Sequence, residues 1–233
     1  MRLDRFVALA TGMTRSQARR RIAGGGVSLD QATRPLKAKS PVSPQDRVYL
    51  EGELLSLDQQ ERYFMLNKPA GVISATRDEA LPTVVDFLPL QDRRNVHPAG
   101  RLDRDTTGLL LLTSDGRWSH RLTSPRSGCR KVYRVTVADP LDDQTLRALA
   151  EGVWLRGEKR ATLPAGVEAT GSHEFLLTLS EGRYHQVKRM VGAQGNRVMA
   201  LHREQIGDIR LDESLQPGEY RSLTQAEIDS VWL

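Results

Sequence analysis

The sequence predicts an α+β fold, in which a mixed, largely antiparallel sheet with flanking helices follows a small, basic N-terminal α/β domain. Three observations predict this fold. The chain of 233 residues is long enough for two hydrophobic cores. After residue 61, strand-like apolar stretches outnumber helical ones and do not alternate with them one for one. Residues 1–50 carry a net charge of +7, whereas the rest of the chain carries −2. We therefore expect two domains of different character.

Hydrophobic periodicity places the elements of the larger domain, which we assign to residues 62–233. Strands are predicted at residues 63–67, 109–113, 132–137, 175–180 and 206–211. Helices are predicted at residues 142–151, 185–193 and 225–232. A doubly wound parallel sheet needs a crossover helix between its strands, so this order favours the mixed sheet.

The smaller domain, residues 1–55, is predicted to begin with two short helices. Apolar residues recur at helical spacing over residues 3–10 until Gly12 ends the pattern. Thr14 and Gln17 have the spacing of a capping box, which opens a second helix that ends at the glycines of residues 24–26.

Two strands complete this domain in the prediction. Alternating residues predict strands at residues 27–30 and 46–50. The polar stretch at residues 52–60 has no period, and we predict a linker at residues 56–61.

The basic residues of the small domain indicate a polyanionic partner. Arg15 and Arg19 lie four residues apart on the second predicted helix, so they project from one face, across which a phosphate backbone can lie. We predict that both contact nucleic acid. The two helices, the basic face and the sequence GGVSLD resemble the small RNA-binding module named after small-subunit ribosomal protein four, across about residues 1–55.

Several classes of protein are disfavoured by composition. The longest purely aliphatic run, at residues 109–112, is far shorter than the roughly 20 residues of a membrane-spanning helix. Asp4 and Arg5 interrupt the N-terminal apolar stretch, so no secretory leader is predicted. The single cysteine, Cys129, cannot form an internal disulfide. We expect a cytoplasmic protein without a membrane partner.

Asp103 is the candidate for chemistry. It lies in HPAGRLDRDTTG, directly before the aliphatic strand, with the cation of Arg101 two residues away. Gly108 permits a tight turn between this loop and the buried strand. Carboxylates near strand ends most often cap turns, but a carboxylate with a nearby cation in such a loop is also a candidate nucleophile.

Four motifs, in this order, resemble the pseudouridine synthases of the branch that modifies small-subunit ribosomal RNA: YFMLNKPAG, GRLDRDTTGLLLLTSDG, CRKVY and SEGRYHQVKRM. The resemblance covers nearly all of residues 62–233. The resemblance implies that one uridine of 16S ribosomal RNA, uridine 516, is isomerised to pseudouridine without a cofactor. The sequences DGRWSHRLTSPR and PGEYRSLT favour this branch. The alternatives are an enzyme for large-subunit (23S) RNA and a non-catalytic RNA-binding assembly factor.

The same resemblance implies roles for individual residues. Asp103 is the carboxylate that attacks the nucleotide, either at the ribose C1′ or at the uracil ring. Tyr133 stacks on the target base. Lys188 is the cation that keeps Asp103 ionised. Arg189, next along the helix, is the fallback for that cation and is otherwise expected to bind the RNA.

Base flipping follows from the target's position inside folded RNA. Arg101 is implied to enter the vacated space or to hold neighbouring nucleotides, and its structural alternative is a salt bridge to Asp103 or Asp105. Lys68 is interpreted as structural or phosphate-facing and is not placed in the active site.

Cofactors, metals and protein partners are not expected. The chain has no glycine-rich dinucleotide loop and no His or Cys cluster with metal spacing, because its five histidines are scattered. The expected partner is ribosomal RNA, either free or within a partly assembled small subunit, bound by a monomer.

One rival hypothesis is a haloacid-dehalogenase-like phosphotransferase. Residues 103–107 fit its Asp-x-Asp-x-Thr pattern. That motif should follow a hydrophobic strand, whereas here the aliphatic strand comes after it. The phosphotransferase hypothesis is therefore disfavoured.

Overall fold

The computed structural model describes residues 1–30, 35–55 and 61–232. The chain divides into two compact units, Met1–Glu61 and Arg62–Leu233, each with a hydrophobic core of its own. Of the linker predicted at residues 56–61, residues 56–60 lie outside the described residues. None of the helices in the described ranges has the length and apolarity needed to cross a membrane.

The N-terminal unit contains two helices and a small antiparallel sheet. In chain order its elements are α1 (Leu3–Thr11), α2 (Arg15–Ala23), β1 (Val27–Leu29), β2 (Val48–Leu50) and β3 (Glu53–Leu55). Gly12 ends α1 in the left-handed conformation, at φ +74°. Thr14 and Gln17 form the predicted capping box, in which each side chain accepts a hydrogen bond from the other residue's backbone N–H.

Strand β3 lies in the stretch that was interpreted as having no regular structure. Its residues are largely exposed, so it pairs with β2 through the backbone and leaves no pattern of apolar residues in the sequence. The core of the unit is formed by apolar residues of both helices and the first two strands: Leu3, Phe6, Val7, Ala18, Ile22, Val27 and Val48.

The larger unit is built on a mixed sheet of nine strands among the described residues. These are β4 (Tyr63–Lys68), β5 (His97–Pro98), β6 (Thr107–Thr113), β7 (Lys131–Val137), β8 (Gly166–Gly171), β9 (Glu174–Leu179), β10 (Val198–Ile206), β11 (Ile209–Arg210) and β12 (Tyr220–Ser222). Seven strands form the order β12-β4-β6-β10-β7-β9-β8, while β5 pairs with β6 and β11 with β10. Of the pairings between these strands, β6 with β10 is parallel and the others are antiparallel. The predicted α+β class is confirmed.

Helices flank the sheet on both faces. They are α3 (Gly116–Thr123), α4 (Asp143–Glu151), α5 (Gln186–Ala193) and α6 (Gln225–Ser230). Leu110 and Leu112 of β6 pack into one core cluster, and Leu109 and Leu111 pack into another that contains Trp118 of α3. Because both faces of β6 are covered, its sequence is a continuous aliphatic run.

Several parts of the larger unit differ from the prediction. The strand predicted at residues 206–211 is wrong, because the chain reverses at Gly207 (φ +57°) and Ile206 pairs with Ile209 across the hairpin. The long strand before that turn, β10, was not predicted, since its polar run HREQ resembles an exposed segment. Helix α3 was also not predicted.

Strands β6 and β10 approach closely at Gly108. Its φ is +96°, and a Cβ atom there would lie 2.3 Å from the backbone oxygen of Arg203 and 2.8 Å from its nitrogen. The glycine therefore permits the parallel pairing that joins the loop before β6 to the centre of the sheet.

Candidate active site

Asp103 lies in the loop before β6, and a buried neighbour holds its backbone in place. Leu102 is buried in the core. Its N–H donates to the hydroxyl of Ser74 at 3.0 Å, and that hydroxyl donates to the Leu102 carbonyl at 2.9 Å. The carboxylate of Asp103 itself remains 28% exposed. The loop thus presents a fixed carboxylate that solvent and a substrate can reach.

Lys68 supports the loop that carries Asp103 through hydrogen bonds to backbone carbonyls. Its side chain is fully buried, and its Nζ donates to the carbonyl oxygens of Pro69 at 3.0 Å, Arg104 at 3.3 Å and Thr106 at 2.9 Å. All three ammonium donors are used on backbone carbonyls. Lys68 therefore has the structural role, and its burial excludes the phosphate-facing alternative.

The buried position of Lys68 changes its acidity. Burial lowers the pKa of Lys68 to about 8, although the negative charges of Asp105 and Asp103 act in the opposite direction. Burying the charged ammonium group therefore costs free energy, because the group loses its contact with water.

Stability should depend on pH through this lysine. Between pH about 8 and 10.5 the unfolded chain holds a proton that the folded chain has lost, so the free energy of unfolding rises with pH across this window. Relative to the Lys68→Met variant, which lacks the titrating group, the wild type should gain up to about 3 kcal/mol over that range. Urea denaturation at a series of pH values, followed by tryptophan fluorescence, measures the difference. If the difference in unfolding free energy between the wild type and Lys68→Met does not change with pH, the pKa of Lys68 is not lowered in the folded protein.

Lys188 is the cation that meets Asp103. Helix α5 buries Val187, Met190 and Val191 in the core, which leaves Lys188 to project towards the loop. Its Nζ lies 3.2 Å from Oδ2 of Asp103 and also donates to Oδ1 of Asp105.

These contacts affect two pKa values. Burial opposes the charge on Lys188, but hydrogen bonds to Asp105 and Asp103 outweigh it and raise the pKa of Lys188 above its ordinary value. The hydrogen bond from Lys188 in turn lowers the pKa of Asp105. The lysine therefore remains charged beside both carboxylates.

His185 reaches the other oxygen of Asp103, a contact that the sequence did not predict. Its Nε2 lies 3.3 Å from Oδ1 of Asp103, so each carboxylate oxygen faces a different side chain. His185 precedes α5 with φ +47° and ψ +39°, a left-handed conformation that is rare for residues other than glycine. The one indication in the sequence that His185 could reach Asp103 was its position three residues before Lys188.

Tyr133 lies on β7, opposite Arg203 of β10. Its half-buried ring packs against two core clusters, and the guanidinium carbon of Arg203 lies 5.9 Å from the ring centroid. Within the described residues, no hydrogen bond joins Tyr133 to Asp103 or Lys188. The structure thus brings Asp103 and Lys188 into direct contact and places Tyr133 on the sheet beside a buried arginine.

Arg203 was not identified from the sequence. It is only 3% exposed, and its Nε donates to the carbonyl of Leu109 at 2.8 Å. In the described part of the chain, its Nη2 and the Oγ1 of Thr106 are buried without a hydrogen-bond partner. A buried arginine on a central strand has no local sequence signal, because its burial depends on pairing with β6 and β7.

Arg101 and Arg189 have different environments. The side chain of Arg101 is exposed and makes no hydrogen bond or ion pair with the described residues, so the salt bridge to Asp103 or Asp105 is absent. Arg189 donates to Glu158 at 2.9 Å and to the carbonyls of Arg156 and Tyr184. The fallback in which Arg189 pairs with Asp103 is therefore wrong.

In the N-terminal unit, Arg15 and Arg19 both meet a buried acid that the sequence did not reveal. Each lies 3.0 Å from the carboxylate of Asp4, and Arg2 lies 2.9 Å from it. Burial would raise the pKa of Asp4, but the hydrogen bonds from Arg19, Arg15 and Arg2 hold it far below its usual range. The arginines remain about half exposed, so contact with nucleic acid stays a prediction.

The rival phosphotransferase motif does not have its required setting. The strand that precedes Asp103, β5, is two residues long, and the buried aliphatic strand β6 begins after the loop. Across the described ranges, no group of three or more His, Cys, Asp and Glu side chains is placed to hold a metal ion.

Comparison with known proteins identifies the family. The model of the RNA pseudouridylate synthase family matches residues 62–193. A ribosomal small subunit pseudouridine synthase A from Haemophilus influenzae is 50% identical over 232 residues, covering 99% of each chain. The protein of the same name from Escherichia coli K12 is also 50% identical, over 99% of this chain and 100% of its own length. A crystal structure of a pseudouridylate synthase superposes with a TM-score of 0.73 at 49% identity, covering 99% of both chains. The chain therefore belongs to the RNA pseudouridylate synthase family.

Proposed function

We propose that this enzyme converts one uridine of 16S ribosomal RNA, uridine 516, to pseudouridine, with Asp103 as its catalytic carboxylate and without a cofactor. The observation that carries the proposal is the carboxylate of Asp103, which is partly exposed and faces Lys188 on one oxygen and His185 on the other. The names of relatives that are half identical over their full length support the choice of RNA.

The reaction needs no change of oxidation state. The carboxylate attacks the nucleotide, either at the ribose C1′ or at the uracil ring, and the glycosidic C–N bond breaks. The base then turns while it is held and C5 bonds to C1′. The bond between the nucleotide and Asp103 breaks, which restores the carboxylate, and the proton on C5 leaves while N1 gains one. Lys188 and His185 keep the Asp103 carboxylate oriented for the attack.

Base flipping is part of the proposal. The Asp103 side chain is mostly buried, so a uridine in a helix must be unstacked before its sugar comes within reach. We assign stacking on the flipped base to Tyr133 and support of the vacated position to Arg101, whose exposed guanidinium is free of described partners.

The proposed setting is the cytoplasm, with ribosomal RNA as the partner, free or in a partly assembled small subunit. Asp103, Lys188 and His185 come from a single chain. These three side chains can meet within one chain, and we propose that the enzyme acts as a monomer.

Tritium release tests the function directly. Transcripts of 16S RNA that carry C5-tritiated uridine should release one tritium per RNA molecule with the wild-type protein. A transcript with cytidine at position 516 should release none, and neither should 23S RNA. Release from 23S RNA alone would transfer the proposal to the large subunit, and release from neither RNA would overturn it.

The N-terminal unit is proposed to bind the phosphate backbone. Deletion of residues 1–55 should weaken RNA binding and flatten its dependence on salt. The slope of log affinity against log salt concentration should fall by about 0.7 to 0.9 for each phosphate that the shortened protein no longer neutralises. Filter binding between 50 and 200 mM salt measures this slope. If truncation leaves the slope unchanged, Arg15, Arg19 and their neighbours do not touch the RNA.

A further inference from the structure

Two stacked rings lie at the edge of the site, and the proposed function leaves the exposed one, Tyr184, without a role. Tyr184 is 77% exposed, and its ring stacks on that of His185 with centroids 3.8 Å apart and planes 18° apart. We propose that Tyr184, backed by His185, is a stacking platform for an unpaired RNA base that neighbours the target uridine. This inference rests on the proposed function and adds a subsite to it.

The position of the rings relative to the carboxylate supports the platform. His185 contacts Asp103 through Nε2 at 3.3 Å and contacts Tyr184 through its ring face. A base on the open side of Tyr184 would therefore lie two ring layers from His185, the residue whose ring edge contacts the catalytic carboxylate. A nucleotide next to one bound at Asp103 is the group placed to occupy that position.

The backbone of this turn is held in an unfavourable conformation. The left-handed backbone of His185 is strained for a residue with a Cβ atom. Its side chain makes no cap hydrogen bond to α5, so helix capping does not explain the conformation. The conformation instead aims the His185 ring at Asp103 on one side and at Tyr184 on the other.

A buried polar network fixes the turn. Gln186, which is 5% exposed, accepts from the N–H of Arg183 at 2.8 Å and donates to Glu181 at 2.9 Å. The guanidinium of Arg183 donates to the carbonyls of residues 160 and 161. The Nη1 of Arg189 donates to the carbonyl of Tyr184 at 3.2 Å. These bonds immobilise the backbone, so little conformational freedom remains to be lost when a base stacks there.

The chemistry of the Tyr184 ring fits an RNA base. The ring is a flat apolar surface whose hydroxyl makes no hydrogen bond with the described residues, and Lys188 and Arg189 follow it on α5. Aromatic stacking tolerates any base, because each has a π face, and it strengthens binding by about 5-fold to 150-fold per base. An exposed planar ring beside the residue that contacts the catalytic carboxylate matches an unstacked nucleotide.

A double-mutant cycle between protein and RNA tests the platform. Binding is measured in the Asp103→Asn background, so that the RNA is not converted. The RNA is a 16S fragment with either an intact base or an abasic residue at the nucleotide 5′ or 3′ of the target. With Tyr184 present, an abasic residue on one side should weaken binding about tenfold. With Tyr184→Ala, intact RNA should bind about tenfold more weakly, and the abasic residue should add no further loss.

The Tyr184→Phe variant is the matched control, since it keeps the ring and should bind intact RNA within about twofold of Tyr184. Because Tyr184 is exposed, Tyr184→Ala should leave the urea unfolding curve unchanged. Abasic losses that are equal with Tyr184 and with alanine, on both sides of the target, would overturn the platform. Tritium release by the wild type tests the proposed function separately, so the two hypotheses can fail independently.

Discussion

Replacing Asp103 with asparagine should lower pseudouridine formation by at least about 10⁴-fold and change RNA binding by less than about threefold. The amide has the size of the carboxylate but carries no negative charge and is a poor nucleophile. Asp103 is partly exposed, so the neutral side chain should not disrupt folding. Single-turnover tritium release measures the chemical step, and filter binding measures affinity for the same RNA.

Asp105→Asn provides the matched control for Asp103→Asn. Asp105 is also a carboxylate bound by Lys188, but its side chain is 72% exposed. Its loss should lower turnover by less than about tenfold, because Lys188 still pairs with Asp103. Equal losses in the two variants would indicate that the local negative charge matters and that Asp103 has no special role. Turnover retained by Asp103→Asn would remove the catalytic assignment altogether.

Replacing Gly108 with alanine should destabilise the larger unit by at least about 4 kcal/mol or prevent its folding. The added Cβ would lie 2.3 Å from the backbone oxygen of Arg203, and a backbone atom cannot move aside as a flexible side chain can. Strand β10 would have to shift, which would break its pairing with β6 and disturb the loop that carries Asp103. Urea unfolding followed by tryptophan fluorescence reports on this unit, because all three tryptophans lie within residues 62–233.

Gly195→Ala separates crowding from backbone strain in the Gly108 test. Gly195 also has a positive φ, +79°, but a Cβ atom there would meet nothing within 4 Å. Its substitution should therefore cost only the backbone term, about 1 kcal/mol. Comparable losses at Gly108 and Gly195 would show that the close approach of β10 does not constrain the fold.

The sequence predicted the parts of the fold that have a local pattern. Strands β4, β6, β7 and β9 and helices α4, α5 and α6 were placed within a few residues of their observed bounds. Strand β8 was not found, because it lies at the sheet edge with mostly exposed residues. Strand β10 was not found, because its polar side chains are sheltered by neighbours that are distant in sequence. Such burial is a property of the assembled sheet and cannot be detected in a short window.

The candidate site divides in the same way. The contact between Asp103 and Lys188 was predicted from motif resemblance, and the geometry brings the two side chains together. The positions of His185 and Arg203 were not predicted, and Lys68 was interpreted as structural or phosphate-facing without its burial beneath the loop being predicted. The first depends on a left-handed backbone, and the other two depend on burial beneath the loop and within the sheet. Neither a left-handed backbone conformation nor the burial of a charged side chain can be predicted from the residue type alone.

The buried carboxylate of Asp4 determines when the arginines of the small unit become ordered. An arginine that moves freely loses about 2 kcal/mol of rotamer entropy when it is fixed. Because Asp4 already holds Arg15 and Arg19, much of that loss occurs as the unit folds and before any polyanion arrives. The same contact neutralises part of the local charge. We therefore expect this surface to respond more to the spacing of phosphate groups than to their number.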